Sequence, residues 1–243
     1  MKKISTAQLL SLSFALGGLL TWTTFAADPQ SASAGNTAIK PVPREASWLK
    51  RHEGFVAQAK EGGVEILFVG DSITDGWRNR PLWKERYVPL KAADFGISGD
   101  RTEHVLWRLQ NGELEGIKPK VIVLMIGTNN ARNNSAPEIV EGITAIIKEF
   151  RIRLPDSKVL LLGVFPRDGQ PNTPNRVKIK EINSSIAKLD DGRHVKYLDI
   201  GEKFLEPDGT MSKEVMPDFL HPNDKGYQIW TDAMQEALAS LLK

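Results

Sequence analysis

Ser72 stands where the apolar run Ile66-Leu-Phe-Val-Gly70 gives way to the polar turn Asp71-Ser-Ile-Thr-Asp75. Gly, Asp and Ser are residues that turns prefer, so the plain reading is a turn and nothing more. The chemical reading makes the apolar run a rigid post that presents a hydroxyl nucleophile. That chemistry needs a base to take the hydroxyl proton, an acid to orient the base, and donors for a developing oxyanion. The chain contains 4 histidines. His52 falls on the polar side of a helical pattern and is expected to be solvated. His194 lies beside Arg193, a poor setting for a base. His104 opens a helix, where the macrodipole disfavours imidazolium. His221 lies between two prolines in Pro217-Asp-Phe-Leu-His-Pro222, with Asp218 three residues earlier. In a helical turn that spacing puts carboxylate and imidazole on one side of the backbone. Alone, an Asp-x-x-His pair is a weak signal.

Two further turns offer oxyanion donors. Asn129 in Ile126-Gly-Thr-Asn-Asn130 carries a side-chain amide, and Gly99 in Gly96-Ile-Ser-Gly-Asp100 can bring a backbone N–H close because it has no side chain. Both are also ordinary turn sequences. Convergence decides what each alone leaves open, and that depends on the elements that hold these turns.

Apolar runs at Val64 to Val69, Ala92 to Ile97, Val121 to Ile126, Val159 to Val164 and Val195 to Ile200 read as strands, the second one weak. The strong ones are continuous rather than alternating, as parallel strands covered on both faces are. Between them lie helical stripes. Trp48, Phe55, Val56 and Ala59 form one; Ile139, Ile143, Ile146, Ile147 and Phe150 form another, opened by the capping box Ser135-x-x-Glu138. Tyr227, Trp230, Met234, Leu238 and Leu241 form a C-terminal one. Strand–helix alternation predicts an α/β fold, a three-layer α/β/α sandwich around a five-stranded parallel sheet with right-handed crossovers. Ligands of such sheets sit beyond the carboxyl ends of the strands, where Ser72, Gly99 and Asn129 would gather.

The ends of the chain read differently. Lys2 and Lys3, an apolar stretch from Leu9 to Leu20 and the small residues around Ala26 have the pattern of a secretory signal peptide over residues 1–26. Its apolar core is shorter than the ~20 residues of a membrane span and is broken by Ser11, Ser13, Gly17 and Gly18. Removing 26 of the 243 residues leaves 217 and takes the formal charge from +2 to 0. With no block of like charges, neither nucleic acid nor an anionic membrane is implied as a partner. There is no cysteine, hence no disulfide and no lipid-attachment thiol after the signal. Residues 27–46, small, polar and proline-bearing, are expected to be a flexible linker, and 47–243 a single domain. Asp190 and Asp191 lack metal-ligand spacing, and no cofactor is implied. The Asn-x-Ser patterns at Asn133 and Asn183 are expected in surface loops. Trp77 and Trp83 suit core or rim packing better than an acyl pocket or a sugar platform.

Gly70-Asp71-Ser72, Gly99, Asn129 and Asp218-x-x-His221 together resemble, in order, the four blocks of the SGNH (GDSL) hydrolases, flavodoxin-like in fold. Within that superfamily His104 to Asn130, Glu65 to Ser72 and Asp218 to His221 are similar to the catalytic subunits of the platelet-activating factor acetylhydrolase Ib group, over about Trp48 to Leu242. The resemblance implies an acyl-ester hydrolase in which Ser72 is nucleophile, His221 base and Asp218 its orienting acid. The Ser72 N–H, the Gly99 N–H and the Asn129 amide would form the oxyanion hole. It also implies a short-chain, acetyl-type ester as substrate, on a lipid or a glycan, and a monomer or homodimer. After Ser72 and after His221 the chain departs from the mammalian enzymes, and those are intracellular whereas this chain carries an export pattern. The rival readings are a lysophospholipase or thioesterase on the same fold, and a binding module that has lost activity. The intact Ser72, Asp218, His221 and Asn129 argue against the last.

Overall fold

The computed structural model describes residues 35–243. The signal-peptide pattern and the first part of the expected linker lie outside the described residues. Five strands form one parallel sheet: β1 (Ile66–Gly70), β2 (Ala92–Gly96), β3 (Val121–Met125), β4 (Lys158–Leu162) and β5 (Val195–Leu198), in the order β2-β1-β3-β4-β5. All five lie within or beside the expected runs, including the weak one. The α/β/α sandwich is therefore as expected.

Helices α1 (Ala46–Glu61), α4 (Thr102–Gln110), α5 (Ala136–Arg153) and α6 (Pro174–Ile186) lie along the chain with α2 (Ser72–Asp75), α3 (Pro81–Arg86) and α7 (Asp224–Leu241). Alternate β1 residues face two cores. Leu67 and Val69 pack with α1, α4, α5 and α6; Ile66 and Phe68 pack with α3 and α7. The five apolar residues expected on one face of α5 are all buried, and the helix starts at a capping box from Ser135 to Glu138. Each such side chain contributes about 1.5–3 kcal/mol on leaving water. Trp77 and Trp83 are core residues, as expected, in an aromatic cluster with Phe68, Tyr87, Tyr227 and Trp230.

The register explains why three turns meet. Gly70 pairs with Gly96 on one side and Met125 on the other. β1, β2 and β3 therefore end level, and Ser72, Gly99 and Asn129 follow within a few residues of that edge. The chain steps from β1 out to β2 and returns past it to β3, so the strand order reverses between β1 and β3, the usual ligand position in such sheets. The edge tolerates no side chain at Gly70, where a Cβ would come 2.4 Å from the Met125 carbonyl.

Three expectations need correction. Gly35 to Glu45, expected as linker, pack against the domain. Asn36 is buried and its amide donates to the Glu138 carbonyl and the Glu141 carboxylate, and the Ala38 carbonyl accepts from Thr102 Oγ1 at 2.8 Å. A segment too polar to fold alone can still dock when its hydrogen bonds have partners. His52 is buried, not solvated: it lies against Trp48 and Trp107 and bonds the Asn111 carbonyl and Glu113. Asn183 lies in α6, where its amide pairs with both the N–H and the C=O of Val164.

Candidate active site

Asp71 caps the short helix α2 by accepting the Ile73 N–H at 3.0 Å, which leaves Ser72 as its first residue, half-buried. The helix is held from α7, because Tyr227 Oη donates to the Ile73 carbonyl at 2.7 Å. Burial pushes the Asp71 carboxyl up to about 7, against the Ile73 hydrogen bond that favours its ionised form.

Ser72 Oγ lies 2.8 Å from His221 Nε2, although 149 residues separate them in sequence. His221 Nδ1 lies 2.6 Å from Asp218 Oδ2. Asp218 Oδ1 accepts the backbone N–H groups of Leu220 and His221 at 3.1 and 2.8 Å, so one carboxylate folds the turn and orients the ring. Partial burial raises the Asp218 pKa, but the hydrogen bonds from His221 and Leu220 outweigh it and hold the carboxyl below its usual range. The turn needs help, since Phe219 sits at φ +59°. Its carbonyl accepts the N–H of Asp168, itself at φ +67°, at 2.9 Å.

Gly99 is exposed at φ +82°, a conformation that favours glycine. Asn129 is half-buried and its Nδ2 donates to the Asp100 carbonyl at 2.9 Å. An amide nitrogen carries two hydrogens, so one remains for a ligand. The sequence-derived residues are thus brought to one rim, with Ser72, His221 and Asp218 in a single hydrogen-bonded line. Of the other histidines, His104 accepts the Arg101 N–H through Nδ1 at 3.0 Å. Burial, reinforced by Arg101, Arg44 and Arg108, pushes its pKa down to about 3, so it is a neutral structural acceptor. The helix-start argument reached the right charge state, but burial is the larger cause.

The sequence argument missed what stands behind the rim. Asp100 is fully buried and accepts from Trp48 Nε1 at 2.7 Å and Arg108 Nε at 2.9 Å; Arg108 continues to Glu113 and Glu113 to His52. Arg167 Nη1 donates to the carbonyl and hydroxyl of Thr128, the residue before Asn129. The one available signal was adjacency: Asp100 follows Gly99, and Thr128 precedes Asn129. Among the described residues no group of three or more histidines and acids is placed to hold a metal ion, and no helix is long and apolar enough to cross a membrane.

A parallel α/β sheet with a serine, a histidine and an aspartate joined at its carboxyl edge defines a hydrolase-type scaffold. The chain belongs to the GDSL-like lipase/acylhydrolase family, whose match spans residues 68–229 and includes every one of these rim residues. It is 41% identical over 210 residues to the rat platelet-activating factor acetylhydrolase IB subunit alpha2, covering 85% of this chain and 90% of the relative. Among solved structures, a GDSL-like lipase from Bacteroides thetaiotaomicron superposes with a TM-score of 0.65 at 19% identity, covering 79% of this chain and 97% of that one. An acetylxylan esterase from Geobacillus stearothermophilus gives 0.58 at 19% identity, over 72% and 94%. The protein is a carboxylic ester hydrolase.

Proposed function

We propose that Ser72, His221 and Asp218 act as nucleophile, general base and orienting acid in the hydrolysis of short-chain esters, above all acetyl esters. The observation that carries this reading is the continuous line from Ser72 Oγ through His221 to Asp218, at 2.8 and 2.6 Å. His221 Nε2 takes the Ser72 proton as Oγ attacks the ester carbonyl. The resulting oxyanion is met by the N–H groups of Ser72 and Gly99 and by Asn129 Nδ2, which bind it more strongly than the starting carbonyl. Collapse expels the alcohol, which takes the proton from His221 and leaves an acyl-Ser72. Water, deprotonated by the same histidine, releases the acid and restores the serine. Asp218 stays ionised throughout, fixing the tautomer and stabilising the transient imidazolium.

The acetyl preference draws on the acetylhydrolase relative, and the acetylxylan esterase that shares the fold adds acetylated carbohydrate as an alcohol half to test. The N-terminal pattern supports export with cleavage after Ala26, which N-terminal sequencing of the mature protein would check. Acid release should be measured on 4-nitrophenyl acetate, acetylated xylooligosaccharides, an acetylated glycerophospholipid and a long-chain lysophospholipid. Acetyl esters should turn over fastest. Ser72→Ala should be folded and inactive, and a fluorophosphonate adduct should map to Ser72 in the parent protein. Retained turnover in Ser72→Ala would remove the nucleophile, and preference for the long chain would remove the acyl assignment.

A further inference from the structure

The two oxyanion donors outside the serine come from different strands: Gly99 follows β2 and Asn129 follows β3. They are joined through Asp100, whose carbonyl accepts Asn129 Nδ2 and whose buried carboxylate is held by Trp48 and Arg108. A third donor comes from the docked N-terminal segment. Arg44 Nη1 reaches Asp100 Oδ1 at 3.1 Å and the Ser98 carbonyl at 2.8 Å, gripping the residues on both sides of Gly99. It also lies against Gly99, since a Cβ there would be 3.2 Å from Nη1.

The Ser98 carbonyl and the Gly99 N–H belong to one peptide unit, which is planar and trans, so they point in opposite directions. Fixing the carbonyl fixes the N–H. An exposed peptide beside a glycine would otherwise rotate easily, because glycine accepts φ of either sign. A charged donor on the carbonyl also polarises the unit and makes its N–H a better donor. The segment bearing Arg44 is itself tied down by Asn36, by Ala38 and by the Val42 N–H, which donates to the Glu103 carbonyl at 3.3 Å. We propose that Arg44 is a positioning residue that, through the Ser98 carbonyl and Asp100, aims the Gly99 N–H and the Asn129 amide at the oxyanion. This rests on the reading of Gly99 and Asn129 as oxyanion donors beside a nucleophilic Ser72.

The test uses the full chain with Arg44→Ala, Arg44→Lys and Ser72→Ala, assayed on 4-nitrophenyl acetate with thermal unfolding in parallel. A misplacement of the order of 1 Å at a reacting geometry can cost ~10²-fold in rate. Arg44→Ala should therefore lose about 10- to 100-fold in kcat with KM changed by less than about threefold, because the donors matter once charge develops. Arg44→Lys should recover part of that loss, since both bonds come from the one nitrogen Nη1 and an ammonium also carries several donors, but it lacks the planar guanidinium that fixes their direction. Affinity for a boronic acid that forms a tetrahedral adduct should fall in parallel with kcat, a readout that a merely structural role would not move. The inference is overturned if Arg44→Ala keeps kcat within about threefold of the parent, if the loss falls in KM alone, or if boronate affinity is unchanged. Ser72→Ala separates the two levels: inactive Ser72→Ala with unaffected Arg44 variants removes only the positioning role. Active Ser72→Ala removes the underlying reading.

Discussion

Replacing Asn129 by alanine separates an oxyanion donor from an ordinary turn former. In the resting protein the side chain makes one hydrogen bond, Nδ2 to the Asp100 carbonyl at 2.9 Å, and the residue is half-buried. A bond of that kind contributes about 0.5–1.5 kcal/mol to stability. For a domain of this size, 1 kcal/mol corresponds to roughly 2–4 °C in Tm. The fold should therefore lose only a few degrees. A donor to the tetrahedral intermediate is a larger matter: losing one typically costs about 10²–10³ in kcat, or roughly 2.7–4 kcal/mol. Steady-state hydrolysis of 4-nitrophenyl acetate, with thermal unfolding on the same samples, should show kcat down by that order. KM should change only a few-fold. Asn129→Asp should be at least as slow, because a carboxylate would repel the oxyanion. A variant with normal kcat and a much lower Tm would refute the reasoning and leave Asn129 as a turn residue.

Asp218→Asn should lower kcat/KM by up to about 10⁴-fold, through loss of the group that sets the imidazole tautomer, with His221 still present; a loss under tenfold on the same acetate assay would deny Asp218 that role. Burial pushes Asp94 up to about 7, with Arg78 only partly opposing it, against 3.8 for the free side chain. Between about pH 4 and pH 7 the unfolded chain gives up this proton before the folded one does, so stability falls as pH rises through that window. Asp94→Asn should remove part of that fall when urea midpoints at pH 5 and pH 8 are compared, and an unchanged difference would show that Asp94 is ionised in the fold.

Much of the scaffold was legible because two-sided burial leaves a distinctive trace. Val121 to Met125 is apolar at every position, as a central strand covered on both faces must be, and every residue of it is buried. The stripe on α5 and its capping box are equally local signals. The rim residues were legible for another reason. Each occupies a turn directly after a strand or before a helix, and parallel strands that end level bring such turns together whatever their sequence separation. What was not legible has no period and no turn. His52 lies on a helix face that counts as polar by composition, yet Glu113 and the Asn111 carbonyl meet it there. Asn183 matches a surface pattern, but its amide replaces a missing backbone partner for Val164. Burial of a polar side chain depends on a partner far away in sequence, which no local window contains.

The same argument explains why Gly35 to Glu45 looked like linker. A segment is recognised as structured when it carries apolar residues to bury, and this one has few. It is held instead by directional bonds: the Asn36 amide to α5, the Ala38 carbonyl to Thr102, the Arg44 guanidinium to Ser98 and Asp100. Those partners are not scattered. Ser98 and Asp100 belong to the turn between β2 and α4 that carries Gly99, Thr102 opens α4 directly after it, and Asp100 is also the acceptor of Asn129. A buried carboxylate with three donors is expensive to desolvate and gives little net stability. Its return lies in geometry, because a set of fixed bonds allows one arrangement where apolar contacts would allow several. Preorganised donors are what a reaction developing negative charge on a carbonyl oxygen requires. On the proposed reading of Gly99 and Asn129 as oxyanion donors, the bonding around Asp100 is concentrated where the chemistry needs rigidity, and the polar N-terminal segment is part of it.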